Sequence, residues 1–275
     1  MAEQIIERAG VRLAVEDEGE GTPVVLLHGL TATRRYVVMG SKALERAGHR
    51  VIAYDARGHG RSSAPPDPTA YGYGELGRDL EAVLDALGVR RAVLAGASMG
   101  AHTALWLALQ APERVGGLVV ITPAYDPDTN DDPARLARWD ALARGLREGG
   151  VDGFLEAYGE PSGVPEIRDT VLKVIRQRLA LHEHPEAVAD GLSAVPRSRP
   201  FETLDDLAVI AVPVTVVASA DDFDPGHPQA IGEAYAAEIL CARVVLDQPG
   251  KSPVAWQGSQ LSKIIEAVAS EAELR

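Results

Sequence analysis

Short runs of aliphatic and β-branched residues recur along this chain with almost no polar residue inside them. They read Val24-Val25-Leu26-Leu27, Val51-Ile52-Ala53-Tyr54, Ala92-Val93-Leu94-Ala95, Leu118-Val119-Val120-Ile121, Val214-Thr215-Val216-Val217 and Val244-Val245-Leu246. A strand with one face in water alternates apolar and polar residues; a continuous run has to be buried on both faces. Segments of helix length separate the runs, and strands alternating with helices close into a mostly parallel, twisted sheet flanked by helices. Only Val11 to Asp17 alternates with period two, as a half-exposed early strand does. Helices are expected at about 35–47, 73–88, 98–111, 228–239 and 254–272. A chain of 275 residues holds one large α/β domain with room for an insertion.

The insertion is placed by a break in the pattern. From about Asp126 to Pro200 there is no good strand. The stretch opens with Asp126-Pro127-Asp128-Thr129-Asn130-Asp131-Asp132-Pro133, a turn and helix-start signal, and two or three amphipathic helices follow, including 135–147 and 167–181. The division expected is a core domain of residues 1–125 and 201–275 and a helical cap of residues 126–200.

Ser98 stands in Gly96-Ala97-Ser98-Met99-Gly100, between a strand-like run and the helix-like Ala101-His102-Thr103-Ala104-Leu105-Trp106. G-x-S-x-G at a strand-to-helix turn is the pattern of a nucleophile elbow, which holds a serine in a strained turn at a helix N-terminus. A serine hydroxyl is a poor nucleophile until a base removes its proton. His28-Gly29-Leu30 directly follows Val24 to Leu27, where a tight turn can aim a backbone N–H at a developing oxyanion. The Leu30 and Met99 N–H groups are the expected pair of donors, with His28 bracing the turn. Asp55-Ala56-Arg57-Gly58-His59-Gly60-Arg61-Ser62 reads as a hydrogen-bonded turn after the second parallel strand, with His59 structural.

These blocks, with Val212-Pro213-Val214-Thr215-Val216-Val217-Ala218 leading into Ser219-Ala220-Asp221-Asp222, resemble the α/β-hydrolase superfamily, and in particular its capped bacterial serine hydrolases. The resemblance implies an α/β-hydrolase fold and a triad acid after the penultimate strand, which puts Asp222 in that role with Asp221, Asp224 and Asp126 as alternatives. It also implies a histidine after a glycine in the loop behind the last strand. Here Lys251 follows Gly250, and no histidine lies beyond His227. The chain has four lysines against 23 arginines, so Lys251 is not its ordinary cation.

A lysine acts as a base only when neutral, which requires burial away from a carboxylate; beside Asp222 it stays an ammonium in an ion pair. The other histidines are expected elsewhere: His227 on the pocket wall, His102 toward core or cap, His182 and His184 on the cap surface, His49 in a solvent-side turn. Tyr36, Tyr125, Trp139 and Trp256, with His227, are the candidate lining of an apolar pocket; Trp106 and Tyr158 are further aromatics.

Composition narrows the partners. With 27 basic and 40 acidic residues the net charge is −13, which argues against nucleic acid and anionic membranes. The N-terminus lacks the features of a secretory signal. The longest apolar stretch, Ala208 to Ala220, is too short to cross a bilayer and contains Pro213. The single Cys241, read as a small buried residue, has no internal partner, so a reducing cytoplasm is expected. No Cys/His cluster or G-x-x-x-x-G-K-[ST] loop is present, and neither metal nor cofactor is expected. The reading is a serine hydrolase acting on carboxylic esters of small to medium apolar or aromatic molecules. The alternative is a non-hydrolytic protein of the same fold, which binds a small molecule or catalyses a lyase or isomerase step. A serine at the elbow disfavours the epoxide hydrolase and haloalkane dehalogenase types, which resemble this fold but carry aspartate there.

Overall fold

The structure is a computed structural model that describes residues 3–161, 167–220, 224–248 and 252–273. Its strands are β1 (Gln4–Arg8), β2 (Val11–Glu18), β3 (Pro23–Leu27), β4 (Arg50–Tyr54), β5 (Ala92–Ala97), β6 (Val115–Ile121), β7 (Val214–Ala218) and β8 (Ala242–Leu246). Its helices are α1 (Ala43–Arg46), α2 (Tyr73–Ala86), α3 (Met99–Gln110), α4 (Pro133–Tyr158), α5 (Arg168–Leu179), α6 (Pro185–Ala194), α7 (Gln229–Glu238) and α8 (Gly258–Glu273). The strands form one sheet in the order β1-β2-β4-β3-β5-β6-β7-β8. β1 and β2 are antiparallel to their neighbours, and β4 through β8 join in parallel.

The uninterrupted apolar runs become strands with two buried faces. Val25 and Leu27 pack with Leu94, Leu118 and Val120 against residues of α2 and α3, including Leu80, Val83 and Leu105. Their chain neighbours Val24 and Leu26 pack on the opposite face with Val93, Val119 and Leu261, Ile265 and Val268 of α8. Each such side chain contributes roughly 1.5–3 kcal/mol relative to exposure, so the two layers fix the register of the central strands.

Several expectations are corrected at the periphery. β8 is an edge strand paired only with β7, and its Val244 and Leu246 are 41% and 40% exposed, so its apolar run is not doubly buried. β1 was not legible because only Ile6 of its five residues is buried. The helix expected at 35–47 is a 3₁₀ turn, Arg34–Tyr36, followed by the single turn of α1. Met39 and Gly40 lie between them at φ 50° and 75°, in the left-handed region that a helix cannot pass through. Cys241 is exposed, whereas His49 and His182 are buried.

Between β6 and β7 the strand–helix alternation gives way to α4, α5 and α6. Asp132 caps α4 by accepting from the Ala134 and Arg135 N–H groups, and Gly150 (φ 60°, ψ −145°) breaks it. Leu142, Leu146, Phe154, Ile175, Leu179, Val188 and Leu192 of these helices form a third apolar cluster with Leu30, Ala56, Tyr71 and Met99 of the sheet domain. The insertion therefore lies over the turn after β3 and the start of α3. Among the described residues no helix is long and apolar enough to cross a membrane.

Candidate active site

β5 ends one residue before Ser98 and α3 begins one residue after it. Ser98 has φ 49° and ψ −112°, a conformation costing of order 1–3 kcal/mol for a residue with a side chain. The Ser98 N–H donates to Ile121 O at 2.9 Å, which ties the elbow to β6. Its side chain makes no capping bond to α3, although serine at a helix N-terminus usually does. Two glycines make the turn possible. A Cβ on Gly96 would stand 2.3 Å from the Gly100 carbonyl, and one on Gly100 would stand 2.2 Å from Leu27 O. Met99 is the first residue of α3, so its N–H has no acceptor within the helix.

The turn after β3 lies against this elbow. A Cβ on Gly29 would be 3.6 Å from the Ser98 Cβ and 3.4 Å from Ala97 O. Gly29 O accepts from His28 Nδ1–H at 2.8 Å and from the Ala32 N–H at 2.9 Å. Because the peptide is planar and trans, that carbonyl fixes the Leu30 N–H to the opposite side of the Gly29–Leu30 unit. A void of about 10 Å³, lined by Leu27, His28, Met99, Gly100 and Thr103 among others, has room for little more than one water centre. The scaffold behind the elbow is otherwise closely packed.

Four histidines surround the site, and none has an unengaged ring. Ala56 N–H donates to His28 Nε2 at 2.9 Å, leaving the proton on Nδ1. Gly60 N–H donates to His182 Nδ1 at 2.8 Å, and Nε2 of that ring donates to Thr31 O at 3.2 Å. His102, one turn after Ser98, accepts from the Ala124 and Tyr125 N–H groups at Nε2 and meets the Tyr73 hydroxyl at Nδ1. Burial holds all three neutral and lowers each pKa to about 3; neighbouring histidines add to this. His59 sets Nδ1 against Arg57 O and Nε2 against Leu30 O, at 2.8 and 2.5 Å. Burial pushes its pKa down although both carbonyls favour the proton. The ring centroids of His28 and His59 are 5.3 Å apart and those of His59 and His182 5.5 Å apart, and hydrogen bonds from these rings hold the turn after β3.

Protonating His28, His102 or His182 would set a ring N–H against a backbone N–H. The unfolded chain, with histidine pKa near 6.5, binds protons that the native state refuses down to about pH 3. Stability is thus complete above about pH 6.5 and is lost as pH falls through this window, at up to about 1.4 kcal/mol per pH unit for each histidine. Urea unfolding between pH 7 and 4.5 should show the midpoint dropping steeply below pH 6; a flat midpoint to pH 5 contradicts the assignment.

The other expected residues divide. Asp222, its alternative Asp221, and Lys251 lie outside the described residues. Asp126 is committed locally, accepting from Asp128 N–H and the Thr129 hydroxyl at 3.0 and 2.9 Å. Asp224 accepts from His227 Nδ1 at 2.9 Å. Burial raises the Asp224 pKa, but the His227 charge and hydrogen bond outweigh it and the net direction is down. Tyr125 is corrected from pocket wall to core: it is 3% exposed, its ring meets Phe201, and its hydroxyl donates to Phe201 O. Tyr36 is half-buried in the turn before α1, and Trp139 packs on the apolar cluster of the insertion. Trp256 is 37% exposed on the turn before α8.

Sequence reasoning missed Asp247. Its carboxylate accepts from Ala220 N–H at 3.0 Å and Val254 N–H at 2.8 Å. It thereby ties Ala220, after β7, to Val254, before α8. An aspartate at the end of a strand was visible; that its two oxygens face two different loops was not.

The strained serine, the adjoining turn and the parallel sheet define an α/β hydrolase. The family described as alpha/beta hydrolase fold matches residues 22–206, and the chain belongs to it. Its relatives include the provisionally named carbamate hydrolase RutD of Variovorax paradoxus, 38% identical over 76% of this chain and 77% of that protein. A 3-oxoadipate enol-lactonase of Acinetobacter baylyi is 31% identical over 86% of this chain and 85% of its own length. Among solved structures, a thermophilic esterase from Thermogutta terrifontis superposes with a TM-score of 0.82 at 26% identity, covering 99% of both chains. These relatives are hydrolytic enzymes, and this chain is a hydrolase of the same family.

Proposed function

We propose that the chain is a serine hydrolase of carboxylic esters, with Ser98 as nucleophile and the Leu30 and Met99 N–H groups as oxyanion donors. The observation that carries this is the Ser98 backbone, held in a costly conformation with its hydroxyl uncommitted, beside a turn whose Leu30 N–H is fixed away from the His28 side. The Ser98 oxygen attacks the ester carbonyl carbon; the carbonyl electrons move to oxygen, between the two N–H groups; collapse expels the alcohol and leaves an acyl-serine. Water then attacks the acyl carbon and releases the acid. Lys251 is the proposed base: neutral and apart from the Asp222 carboxylate, it takes the Ser98 proton and passes it to the leaving alcohol, while Asp222 keeps the position of the triad acid. α4 to α6 are the cap over a core of residues 1–125 and 201–275. The substrate class is an ester of a small to medium molecule, its apolar part against Tyr36, Trp139 and Trp256.

The engagement of His28, His59, His102 and His182 favours a slow enzyme over a fast one, and it also supports the alternative of a non-hydrolytic pocket. Fluorophosphonate labelling across pH 6 to 10, with adducts counted by mass spectrometry, separates these. Labelling at Ser98 that rises with pH and disappears in Lys251→Ala supports lysine as base. Labelling indifferent to Lys251→Ala moves the role to another group, His227 first. A folded protein that takes no label at any pH sinks the ester-hydrolase reading.

A further inference from the structure

Arg178 lies near the end of α5 and reaches from the insertion to the turn after β3, where Nη2 donates to Thr31 Oγ1 at 3.0 Å. Thr31 is the residue after Leu30, the proposed oxyanion donor. The Arg178 Nε is enclosed and has no hydrogen-bond partner. Arg168, whose Nε is likewise without a partner, and Arg176 differ in that each has a carboxylate, Glu160 at 3.0 Å and Asp152 at 2.6 Å. For Arg178 no carboxylate of the described residues lies within ion-pair distance. Asp224 is close enough for its charge to be felt but is taken by His227 at 2.9 Å. Tyr36 and Tyr158 complete the surroundings, and burial pushes the guanidinium below its ordinary pKa.

Arg178 is half-buried, its Nε is enclosed without a partner, and Asp224, whose charge it feels, is hydrogen-bonded to His227 instead; the planar fork therefore keeps donor capacity that matches a carboxylate. Spare donor capacity on a side chain bonded to the residue next to Leu30 is explained by an anion that arrives with the substrate. We propose that Arg178 is the carboxylate-binding residue of this site, and that the preferred substrates are esters whose acyl chain ends in a carboxylate. Nη2 lies 3.0 Å from the Thr31 hydroxyl and adjacent residues are 3.8 Å apart at Cα, so it is within about 10 Å of the Leu30 N–H, within reach of an acyl chain of about three to five carbons. The inference takes its reaction from the ester-hydrolase reading, but the anion site stands apart from the chemistry.

The test uses monomethyl glutarate and its neutral counterpart dimethyl glutarate. Calorimetric titration of the full-length Ser98→Ala protein should show the monoester binding at least tenfold more tightly than the diester, and Ser98→Ala/Arg178→Gln should lose that preference. In the wild-type enzyme, the ratio of kcat/KM for monoester over diester should fall roughly tenfold to a hundredfold in Arg178→Gln, chiefly through KM, with part retained in Arg178→Lys. Equal losses on both esters, as a structural role or pairing with a catalytic acid would give, overturn the inference. If Arg178→Gln does not fold, the wild-type comparison decides alone: no preference for the monoester overturns it. Arg178-dependent binding without turnover of either ester defeats the hydrolase reading and leaves the anion site. Turnover without preference does the opposite.

Discussion

Ser98→Ala should reduce hydrolysis of an activated ester such as p-nitrophenyl butyrate by at least about 10³-fold, because it removes the atom proposed to form the acyl intermediate. The residual rate should equal that given by the oxyanion donors alone. Ser98→Gly should be equally inactive and also more stable. Glycine adopts φ 49° and ψ −112° without a Cβ clash, whereas serine is strained there. After subtraction of glycine's greater entropy loss, the gain is about 1 kcal/mol, or a Tm increase of roughly 2–4 °C for a chain of this size. Differential scanning calorimetry and the ester assay on the same preparations measure both. A Ser98→Gly protein less stable than Ser98→Ala, or a Ser98→Ala protein with wild-type turnover, refutes the assignment.

Asp79→Ala should produce the largest loss of stability. Asp79 lies in α2 with its carboxylate gripped by Arg57, Nε and Nη2 both at 2.7 Å, and both side chains are 1% exposed. Arg8 adds a third bond at 3.0 Å. Removing the carboxylate leaves the buried Arg57 guanidinium with only the half-exposed Glu75 carboxylate, at 3.3 Å from Nη2, and strips it of its two-pronged partner, which costs about 3–5 kcal/mol. At roughly 2–4 °C per kcal/mol, the Tm should fall by about 6–20 °C. Activity should fall as well, since Arg57 belongs to the turn in which His59 holds Leu30 O. Breaking the surface pair Arg197–Asp140, at 42% and 45% exposure, should cost less than about 1 kcal/mol. Similar Tm values for Asp79→Ala and Arg197→Ala contradict the account.

Much of this follows from local chemistry that a sequence displays. The runs from Val24 and Val51 to Val214 announce doubly buried strands, because a strand with one face in water usually alternates apolar and polar residues. Gly96 and Gly100 flank Ser98 at the spacing a sharp turn needs. The stretch from Asp126 to Pro200 shows itself by the loss of strands. What misled was always a matter of neighbours. Val244 and Leu246 look like core but lie on the last strand, where nothing pairs beyond. Tyr125 reads as a pocket aromatic, and its hydroxyl instead found Phe201 O. His49 and His182 look like surface residues because one histidine in a polar stretch carries no sign of what will cover it.

The sequence by itself therefore determined the class of fold, the sharp strand-to-helix turn at Ser98 and the strand-free stretch between β6 and β7, since each depends on residues close together along the chain. Only the tertiary structure decided the rest. It alone brings Gly29 to Ser98, locks the proton positions on His28, His102 and His182 with backbone donors from distant segments, joins Ala220 to Val254 through Asp247, and leaves the Arg178 Nε without a partner among the described residues. Periodicity and turn chemistry act over a few residues and are written locally. Charge and hydrogen bonding inside a protein depend on which distant groups arrive and which water is expelled, and that is settled only when the chain has packed.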